Sequence, residues 1–206
     1  MRSWPITRIV ILVIGLATGP VVVAGELTAR VQSAYQKTPV LRAEFIQKTH
    51  VESLGRDFEE KGMLVIARPN RFVIRYLGPR RREYISDGQS LWVWRPGDEE
   101  LDSFGDVREV LSHEALAFLG GLGEMEKEFQ VTESGSPMAP VLRLVPLRSG
   151  SPFKKILLTV DATTSLAKEV ELYPRNGNRS HYLFSRLRRE EKISDHEFRP
   201  PTGKKK

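Results

Sequence analysis

The sequence predicts a mainly β protein in which a single antiparallel, strongly curved sheet forms an incomplete β-barrel with short helices on its concave hydrophobic face. Three observations lead to this fold class. Hydrophobic and polar residues alternate in about ten segments, short turns join these segments, and only two stretches have helical spacing. Short connections favour antiparallel pairing over a βαβ arrangement. Two helices are too few to cover both faces of such a sheet, so we expect them to pack inside its curve.

The first helical stretch begins the predicted domain. Leu27, Val31, Ala34 and Tyr35 recur at intervals of three and four residues and share one face, and Pro39 ends the run. After the proline the hydrophobic period changes to two, which is typical of a half-buried strand. In this part of the chain we predict strands at residues 41–51, 62–67 and 71–77.

Turn residues organise the remaining strands. Asp87-Gly88 is a strong two-residue hairpin signal, and Asn176-Gly177 is a second one. Residues 106–119 have helical spacing, with Ser112 placed to serve as an internal N-cap. Around these features we predict strands at residues 83–86, 90–95, 128–133, 141–146, 155–161, 167–173 and 179–187, and a last extended piece at residues 193–198.

The N-terminal residues have the three parts of a secretory signal peptide. Arg2 and Arg8 supply the basic part, residues 9–23 form the apolar part, and the small residue Ala24 follows. The apolar stretch is shorter than the ~20 residues of a membrane-spanning helix. We therefore predict a cleaved signal peptide at residues 1–24, a periplasmic domain at residues 25–203 and a basic tail at residues 204–206.

Net charge and cysteine content exclude several classes of function. The formal charge of +6 falls to +4 when Arg2 and Arg8 leave with the signal peptide, and three of the remaining positive charges are the terminal lysines. We therefore expect no nucleic-acid partner. Because the chain has no cysteine, we expect no disulfide, no thiolate metal site, no cysteine nucleophile and no lipid anchor on the chain itself.

The residue types that carry catalysis do not form a recognisable motif. His50, His113, His181 and His196 lack the spacing of a metal site, and the sequence contains no Gly-x-Ser-x-Gly motif. The glycines at positions 120, 121 and 123 follow a helical stretch, whereas a phosphate-binding loop opens one. We predict that the protein is not an enzyme, and we expect neither a metal nor a cofactor.

Large apolar side chains gather on the predicted strand faces. A curved sheet can enclose more volume than its side chains fill. The residues alone therefore leave two alternatives open, a filled core and a ligand cavity. The candidates for the wall of such a cavity are Leu64, Ile66, Phe72, Ile74, Tyr76, Trp92 and Trp94. Trp92 and Trp94 share a face of their strand, and the sequence does not settle which face it is.

A basic run, Arg80-Arg81-Arg82, follows the third predicted strand. It fits a soluble hairpin loop, and it equally fits a contact with an acidic partner or with anionic head groups. The sequence does not decide between these alternatives.

Five motifs in order resemble the outer-membrane lipoprotein carrier protein family, LolA. The first two are Ala43-Glu44-Phe45-Ile46-Gln47-Lys48 and Gly62-Met63-Leu64-Val65-Ile66. The third, Arg68-Pro69-Asn70-Arg71-Phe72, has the family's Arg-Pro-Asn-x-Phe pattern, and the fourth is the hairpin Ser86-Asp87-Gly88-Gln89-Ser90-Leu91-Trp92. The fifth is Phe198-Arg199-Pro200-Pro201-Thr202-Gly203, so the resemblance covers essentially the whole mature chain.

The resemblance implies both a fold and a function. The fold would be an incomplete barrel of about eleven strands whose hydrophobic cavity is covered by helices. The function would be that of a periplasmic shuttle for lipoproteins, which binds their acyl chains. It would take them from an inner-membrane ABC release complex and deliver them to an outer-membrane lipoprotein acceptor. We expect the shuttle to be a monomer.

The resemblance also assigns roles to residues. The family's functional arginine corresponds to Arg68 and its cavity phenylalanine to Phe72. Arg68 could donate hydrogen bonds to the last carbonyls of the helix that ends at Leu119-Gly120-Gly121, and so latch that helix as a lid. Alternation places Leu64, Ile66, Ile74 and Tyr76 on the face of Phe72. The predicted lid residues are Val31, Tyr35, Phe118 and Leu119.

The chain departs from the family pattern in two places. Arg71 stands where the family commonly has an apolar residue, and the chain ends soon after Gly203, in three lysines. The short C-terminus leaves the mode of membrane docking open. The alternative function is that of an envelope carrier or sensor of another amphiphilic lipid on the same half-barrel fold, because a fold alone does not identify a ligand.

Overall fold

Strands make up most of the chain in the computed structural model, which describes residues 25–97, 100–119, 122, 125–201 and 204–205. The predicted signal peptide lies outside the described residues. The helices are α1 Glu26–Gln36, α2 Val107–Val110, α3 His113–Leu119 and α4 Met125–Glu128. The strands are β1 Val40–Val51, β2 Arg56–Ala67, β3 Arg71–Leu77, β4 Arg82–Asp87, β5 Ser90–Trp94, β6 Glu100–Asp106, β7 Phe129–Ser136, β8 Ala139–Pro146, β9 Phe153–Val160, β10 Ala167–Pro174, β11 Arg179–Glu190 and β12 Lys204–Lys205.

The strands form one open sheet. Eleven strands pair antiparallel in the order β6-β5-β4-β3-β2-β1-β11-β10-β9-β8-β7, and the two-residue β12 runs parallel to β6. Strand β1 joins the two halves because it pairs with both β2 and β11. In the part of the chain that the structure describes, β6 and β7 do not pair with each other, so the sheet is not closed into a barrel. The predicted incomplete barrel is confirmed.

The predicted hairpin between β4 and β5 forms around its turn residues. The Asp87 carboxylate accepts hydrogen bonds from the backbone N–H groups of Gln89 and Ser90, both at 2.9 Å. Gly88 has a φ of +97°, a conformation that glycine adopts without steric cost. Local chemistry therefore determines where this hairpin turns.

Strands β2 and β6 differ from the prediction because many of their residues are polar or exposed. Strand β2 begins at Arg56, well before the predicted residue 62, and its first part pairs with β1 so that Asp57 lies opposite His50. Strand β6 was not predicted; within it Leu101 is buried and Phe104 is exposed. Backbone pairing with a neighbouring strand, which hydrophobic periodicity does not report, accounts for both segments.

The predicted helix over residues 106–119 is divided into α2 and α3. Leu111 between them is extended, with φ −90° and ψ 146°. The Ser112 hydroxyl oxygen accepts a hydrogen bond from the Ala115 N–H at 3.2 Å and begins α3, as predicted for this cap. The predicted extended piece at residues 193–198 instead ends in a 3-10 helix, Asp195–Phe198.

Hydrophobic side chains cover both faces of the sheet. The inner face carries α1, α2 and α3, and its two clusters of buried side chains are joined through Tyr182 and Phe184. The outer face has a separate cluster, which Phe198 of the C-terminal segment covers. Alternation along β2 explains the division, since Leu64 belongs to the inner clusters and its neighbour Val65 to the outer one.

Candidate functional site

A cavity of about 180 Å³ lies between the inner face of the sheet and α3. Its wall is apolar except for one glutamate and the tyrosine hydroxyls. A much smaller space beside it, between the sheet and α1, shares Leu64, Phe118 and Phe184 with it. The residues that line the larger cavity are Phe45, Leu64, Ile74, Tyr76, Glu114, Ala115, Phe118, Leu119, Phe153, Ile156, Val170, Leu172, Tyr182 and Phe184.

Phe45 is the centre of the aromatic part of the wall. Its ring centroid lies 5.3 Å from that of Tyr76 in an edge-to-face arrangement and 5.8 Å from that of Tyr182. Both distances are within the range of favourable aromatic pairs. The Phe45 ring fits because Gly62, its register partner on β2, has no side chain.

Polar groups close one end of this aromatic wall. The Tyr76 hydroxyl donates a hydrogen bond to Gln47 Oε1 at 2.7 Å, and burial raises the pKa values of Tyr76 and Tyr182. The Arg82 guanidinium lies 3.7 Å from the centroid of the Tyr76 ring and donates to both carboxylate oxygens of Glu60, at 2.6 and 2.9 Å. This bidentate pair and the stacked guanidinium hold Tyr76 against the sheet.

Helix α3 forms the opposite wall. Glu114, Ala115, Phe118 and Leu119 line the cavity, and their spacing places them on adjoining sides of the helix. Leu119 is 7% exposed and packs in the same cluster as Phe72. The predicted role of this helix as a lid stays a prediction.

Arg68 follows the last residue of β2 and contacts the end of α1. Its Nη2 donates a hydrogen bond to the carbonyl oxygen of Thr38 at 3.2 Å. The Thr38 hydroxyl in turn donates to the Ala34 carbonyl oxygen at 2.8 Å, so Arg68 is tied to the last turn of that helix. Burial lowers the pKa of the Arg68 guanidinium. Gly120 and Gly121 lie outside the described residues, and the latch on their helix stays a prediction.

Most of the predicted wall and lid residues lie around the two spaces. Leu64, Ile74, Tyr76, Phe118 and Leu119 line the larger cavity. Ile66 and Tyr35 line the smaller one, Phe72 is fully buried in the adjoining cluster, and Val31 packs between α1 and the sheet.

The placement of Trp92 and Trp94 on the cavity wall is wrong. Both belong to the outer-face cluster, where Trp92 packs with Ile85, its register partner on β4. Leu91 occupies the inner face instead, and successive side chains of a strand point to opposite faces. Trp92 and Trp94 share a face because they are two positions apart on one strand. The sequence does not tell which face this is, and only the pairing of β5 with β4 decides it.

Nine of the fourteen residues that line the larger cavity were missing from the predicted site. Phe45 stands in a motif of the sequence, and Tyr182 and Phe184 alternate along β11, so the signal for these three was present. The sequence did not show that β11 pairs with β1. This pairing joins the two halves of the sheet and places the β11 side chains beside those of β1. The other residues that we did not predict are Glu114, Ala115, Phe153, Ile156, Val170 and Leu172.

The basic run at residues 80–82 makes contacts within its own chain. Arg82 is paired with Glu60, and the Arg80 guanidinium lies 5.7 Å from the centroid of the Phe58 ring. Arg81 is exposed. These contacts leave both interpretations of the run open.

The described residues lack two kinds of feature. Among them, no three histidine, aspartate or glutamate side chains are grouped closely enough to hold a metal ion. No helix formed by these residues combines the length and the apolar character that a membrane crossing requires.

The chain is similar in sequence to lipoprotein carriers. The family model described as "Outer membrane lipoprotein carrier protein LolA" matches residues 36–201. The outer-membrane lipoprotein carrier protein of Alkalilimnicola ehrlichii is 33% identical over 175 residues, which cover 82% of this chain and 78% of that protein. The protein of the same name from Halorhodospira halophila is 29% identical over 209 residues, which cover 98% and 94% of the two chains.

The chain is also similar in fold to solved structures. An uncharacterized conserved protein from Thermus thermophilus aligns with a TM-score of 0.54 at 12% identity, over 87% of this chain and 96% of that one. A DUF1329 family protein from Desulfovibrio piger aligns with a TM-score of 0.50 at 13% identity, over 84% and 94%. At such low identities the likeness concerns the fold alone.

Proposed function

The chain belongs to the outer membrane lipoprotein carrier protein family, LolA, and on that premise we propose that it is a periplasmic carrier that shields the acyl chains of lipoproteins in its inner-face cavity. The observation that carries the proposal is the almost wholly apolar wall that the sheet and α3 build around that cavity. Such a role requires binding and release and needs no catalytic group.

Acyl chains need a carrier because water opposes their exposure. Each methylene group that leaves an apolar environment costs about 0.8 kcal/mol. A lipoprotein anchor with two or three acyl chains therefore does not leave a membrane for water at a useful rate unless a protein covers the chains. The inner face offers aromatic and branched aliphatic side chains for that purpose.

The size of the cavity implies that it expands when it is loaded. A volume of about 180 Å³ is close to that of an engineered cavity of about 150 Å³ that holds a single benzene molecule. Several long acyl chains do not fit in such a space. Movement of α3 away from the sheet would open the cavity, because this helix contributes Phe118 and Leu119 to one wall.

We assign to Arg68 the role of a latch for the closed state. Its bond to the Thr38 carbonyl ties the end of β2 to the end of α1, and Tyr35 of α1 and Phe118 of α3 both line the smaller space. If the cavity opens and this hydrogen bond breaks, its loss makes the binding of cargo less favourable. When the cavity closes again, the bond is restored. A preference for the closed state keeps the affinity for cargo low enough for onward transfer.

The direction of transfer requires partners at both membranes. We propose that an inner-membrane ABC release complex supplies the lipoprotein and that an outer-membrane lipoprotein acceptor receives it. The predicted signal peptide provides the route to the periplasm, and the names of the relatives support the cargo.

The proposal is tested by loading the mature protein from membranes. Inner-membrane vesicles that contain the release complex and a labelled lipoprotein are incubated with ATP and with the carrier, and soluble complexes are then quantified. The wild type should release lipoprotein. Phe118→Glu in the cavity wall should abolish release, whereas Phe104→Glu, at a position that is 42% exposed, should not. Failure of the wild type to release any lipoprotein would refute the proposal.

The protein recovered from its native envelope gives a second test. Mass spectrometry of the purified protein should find lipoprotein bound to it. Recovery with a free lipid alone would instead support the carrier or sensor of another amphiphilic lipid.

A further inference from the structure

The carboxylate of Glu133 on β7 caps the N-terminus of α1. Its Oε1 accepts hydrogen bonds from the backbone N–H and the hydroxyl of Thr28, at 2.8 and 2.7 Å, and its Oε2 accepts one from the Leu27 N–H at 3.3 Å. The first N–H groups of a helix have no partner within the helix, and the side chain of the N-cap residue often binds them. Here the N-cap residue is Gly25, and a side chain from a strand takes over this task.

Gly25 fits against this carboxylate because it has no side chain. A Cβ atom at position 25 would stand 2.0 Å from Glu133 Oε1 and 2.6 Å from Glu133 Oε2. The backbone nitrogen of Gly25 is bonded to the same Cα atom as that Cβ would be, and the two atoms would be about 2.5 Å apart. The nitrogen of Gly25 therefore lies within about 4.5 Å of a carboxylate oxygen.

The Glu133 carboxylate has room for one more donor. An ionised carboxylate offers about four positions for hydrogen bonds, and the three bonds from Thr28 and Leu27 leave one of these positions open. Burial raises the pKa of Glu133, but these hydrogen bonds and the charge of Arg30 outweigh burial, so the net shift of the pKa is downward. The carboxylate is therefore ionised at neutral pH and suited to a cationic donor.

We propose that removal of residues 1–24 turns the nitrogen of Gly25 into an α-ammonium group that forms an ion pair with Glu133. A signal peptidase would hydrolyse the peptide bond between Ala24 and Gly25 with water, which leaves a carboxylate on Ala24 and an amine on Gly25. The amine takes up a proton, because an α-amino group has a pKa of about 8. The ion pair fixes the start of α1, and Arg68 ties the other end of the same helix.

The helix dipole alone would have the opposite effect. A positive charge at the N-terminus of a helix is unfavourable, so acetylation, which removes that charge, is expected to stabilise an ordinary helix. Acetylation of Gly25 should instead destabilise this protein, because it removes the cationic partner of Glu133. The sign of the change thus separates a specific ion pair from the general behaviour of a helix terminus. The inference goes beyond the carrier function and does not depend on it.

The test compares mature chains that begin at Gly25 with a free or an acetylated N-terminus. Thermal unfolding is followed by circular dichroism below neutral pH, where the free amine is protonated. Acetylation should lower the Tm of the wild type by about 1–3 °C. It should do the same in Glu26→Gln, a matched change of the exposed glutamate next to Gly25. In Glu133→Gln, which keeps the shape of the side chain and removes its charge, acetylation should leave the Tm unchanged or raise it.

An unchanged or raised Tm of the acetylated wild type would overturn the inference, and so would an equal decrease in Glu133→Gln. The N-terminus of the protein recovered from the periplasm gives an independent test that needs no variant. Mass spectrometry of its N-terminal peptide should identify Gly25 as the first residue. A mature chain that begins at Glu26, or one that keeps residues 1–24, would equally refute the ion pair.

Discussion

The ring of Phe45 packs against Gly62, its partner in register across β1 and β2. A Cβ atom at position 62 would stand 2.3 Å from Phe45 Cζ and 2.4 Å from the carbonyl oxygen of Arg75. Real Cβ atoms do not approach other atoms so closely. The aromatic part of the cavity wall therefore depends on the absence of a side chain at one strand position.

Gly62→Ala should lower the free energy of unfolding by about 1–3 kcal/mol, because either the Phe45 ring or the backbone of β3 must move. Urea unfolding followed by circular dichroism measures the change. Gly105→Ala is the matched control, because a Cβ atom there meets nothing within 4 Å, and it should stay within about 0.5 kcal/mol of the wild type. Equal unfolding midpoints for the two variants would contradict the expectation.

Ala115→Phe should reduce acyl-chain binding several-fold, because a phenyl group on α3 would occupy much of a cavity of about 180 Å³. Binding is followed with a fluorescent fatty-acid probe. Ala139→Phe adds the same ring at an exposed position on β8 and should bind the probe as the wild type does. Unchanged binding by Ala115→Phe would show that the acyl chains lie elsewhere.

Arg68→Leu should still accept lipoprotein but should transfer it to outer-membrane vesicles slowly, because the variant loses the bond to Thr38 that we propose as the latch of the closed state. Loading and transfer are measured separately with a labelled lipoprotein. Arg148→Leu, at an exposed site, should behave as the wild type in both steps. Normal transfer by Arg68→Leu would remove the latch from the mechanism.

The ion pair of Arg42 and Glu197 should make the free energy of unfolding depend on pH in the acidic range. The Arg42 guanidinium donates to both oxygens of Glu197, at 2.6 and 2.9 Å, and holds the pKa of that carboxyl below its ordinary value of 4.5. A carboxyl whose pKa is lowered by folding stabilises the protein above its ordinary pKa. That contribution disappears as the pH falls through the folded-state pKa.

Glu197→Gln should therefore be less stable than the wild type by about 1 kcal/mol near neutral pH, and the difference should shrink as the pH falls below 4.5. Thermal unfolding across this pH range measures it. Glu191→Gln, at an exposed position near the end of β11, is the control and should show no such trend. A difference that is constant across the range would assign the effect of Glu197 to packing and not to charge.

Local patterns were sufficient to predict the class of fold, most strand positions and several cavity residues. Alternation along β3 places Ile74 and Tyr76 together because successive side chains of a strand point to opposite faces whatever surrounds them. Asp87-Gly88 determines a turn by itself because its hydrogen bonds and its positive φ are local. These interactions involve residues that are neighbours in the chain.

Pairing between distant segments decided the rest. The outward placement of Trp92 follows from its register with Ile85, and the contribution of Tyr182 to the wall follows from the pairing of β11 with β1. Glu114 is buried because α3 lies over the inner face of the sheet. The alternation of hydrophobic residues along a strand shows which side chains share a face. That face becomes the inner one only when another element packs on it. This contact joins distant parts of the chain, so a local sequence pattern does not predict it.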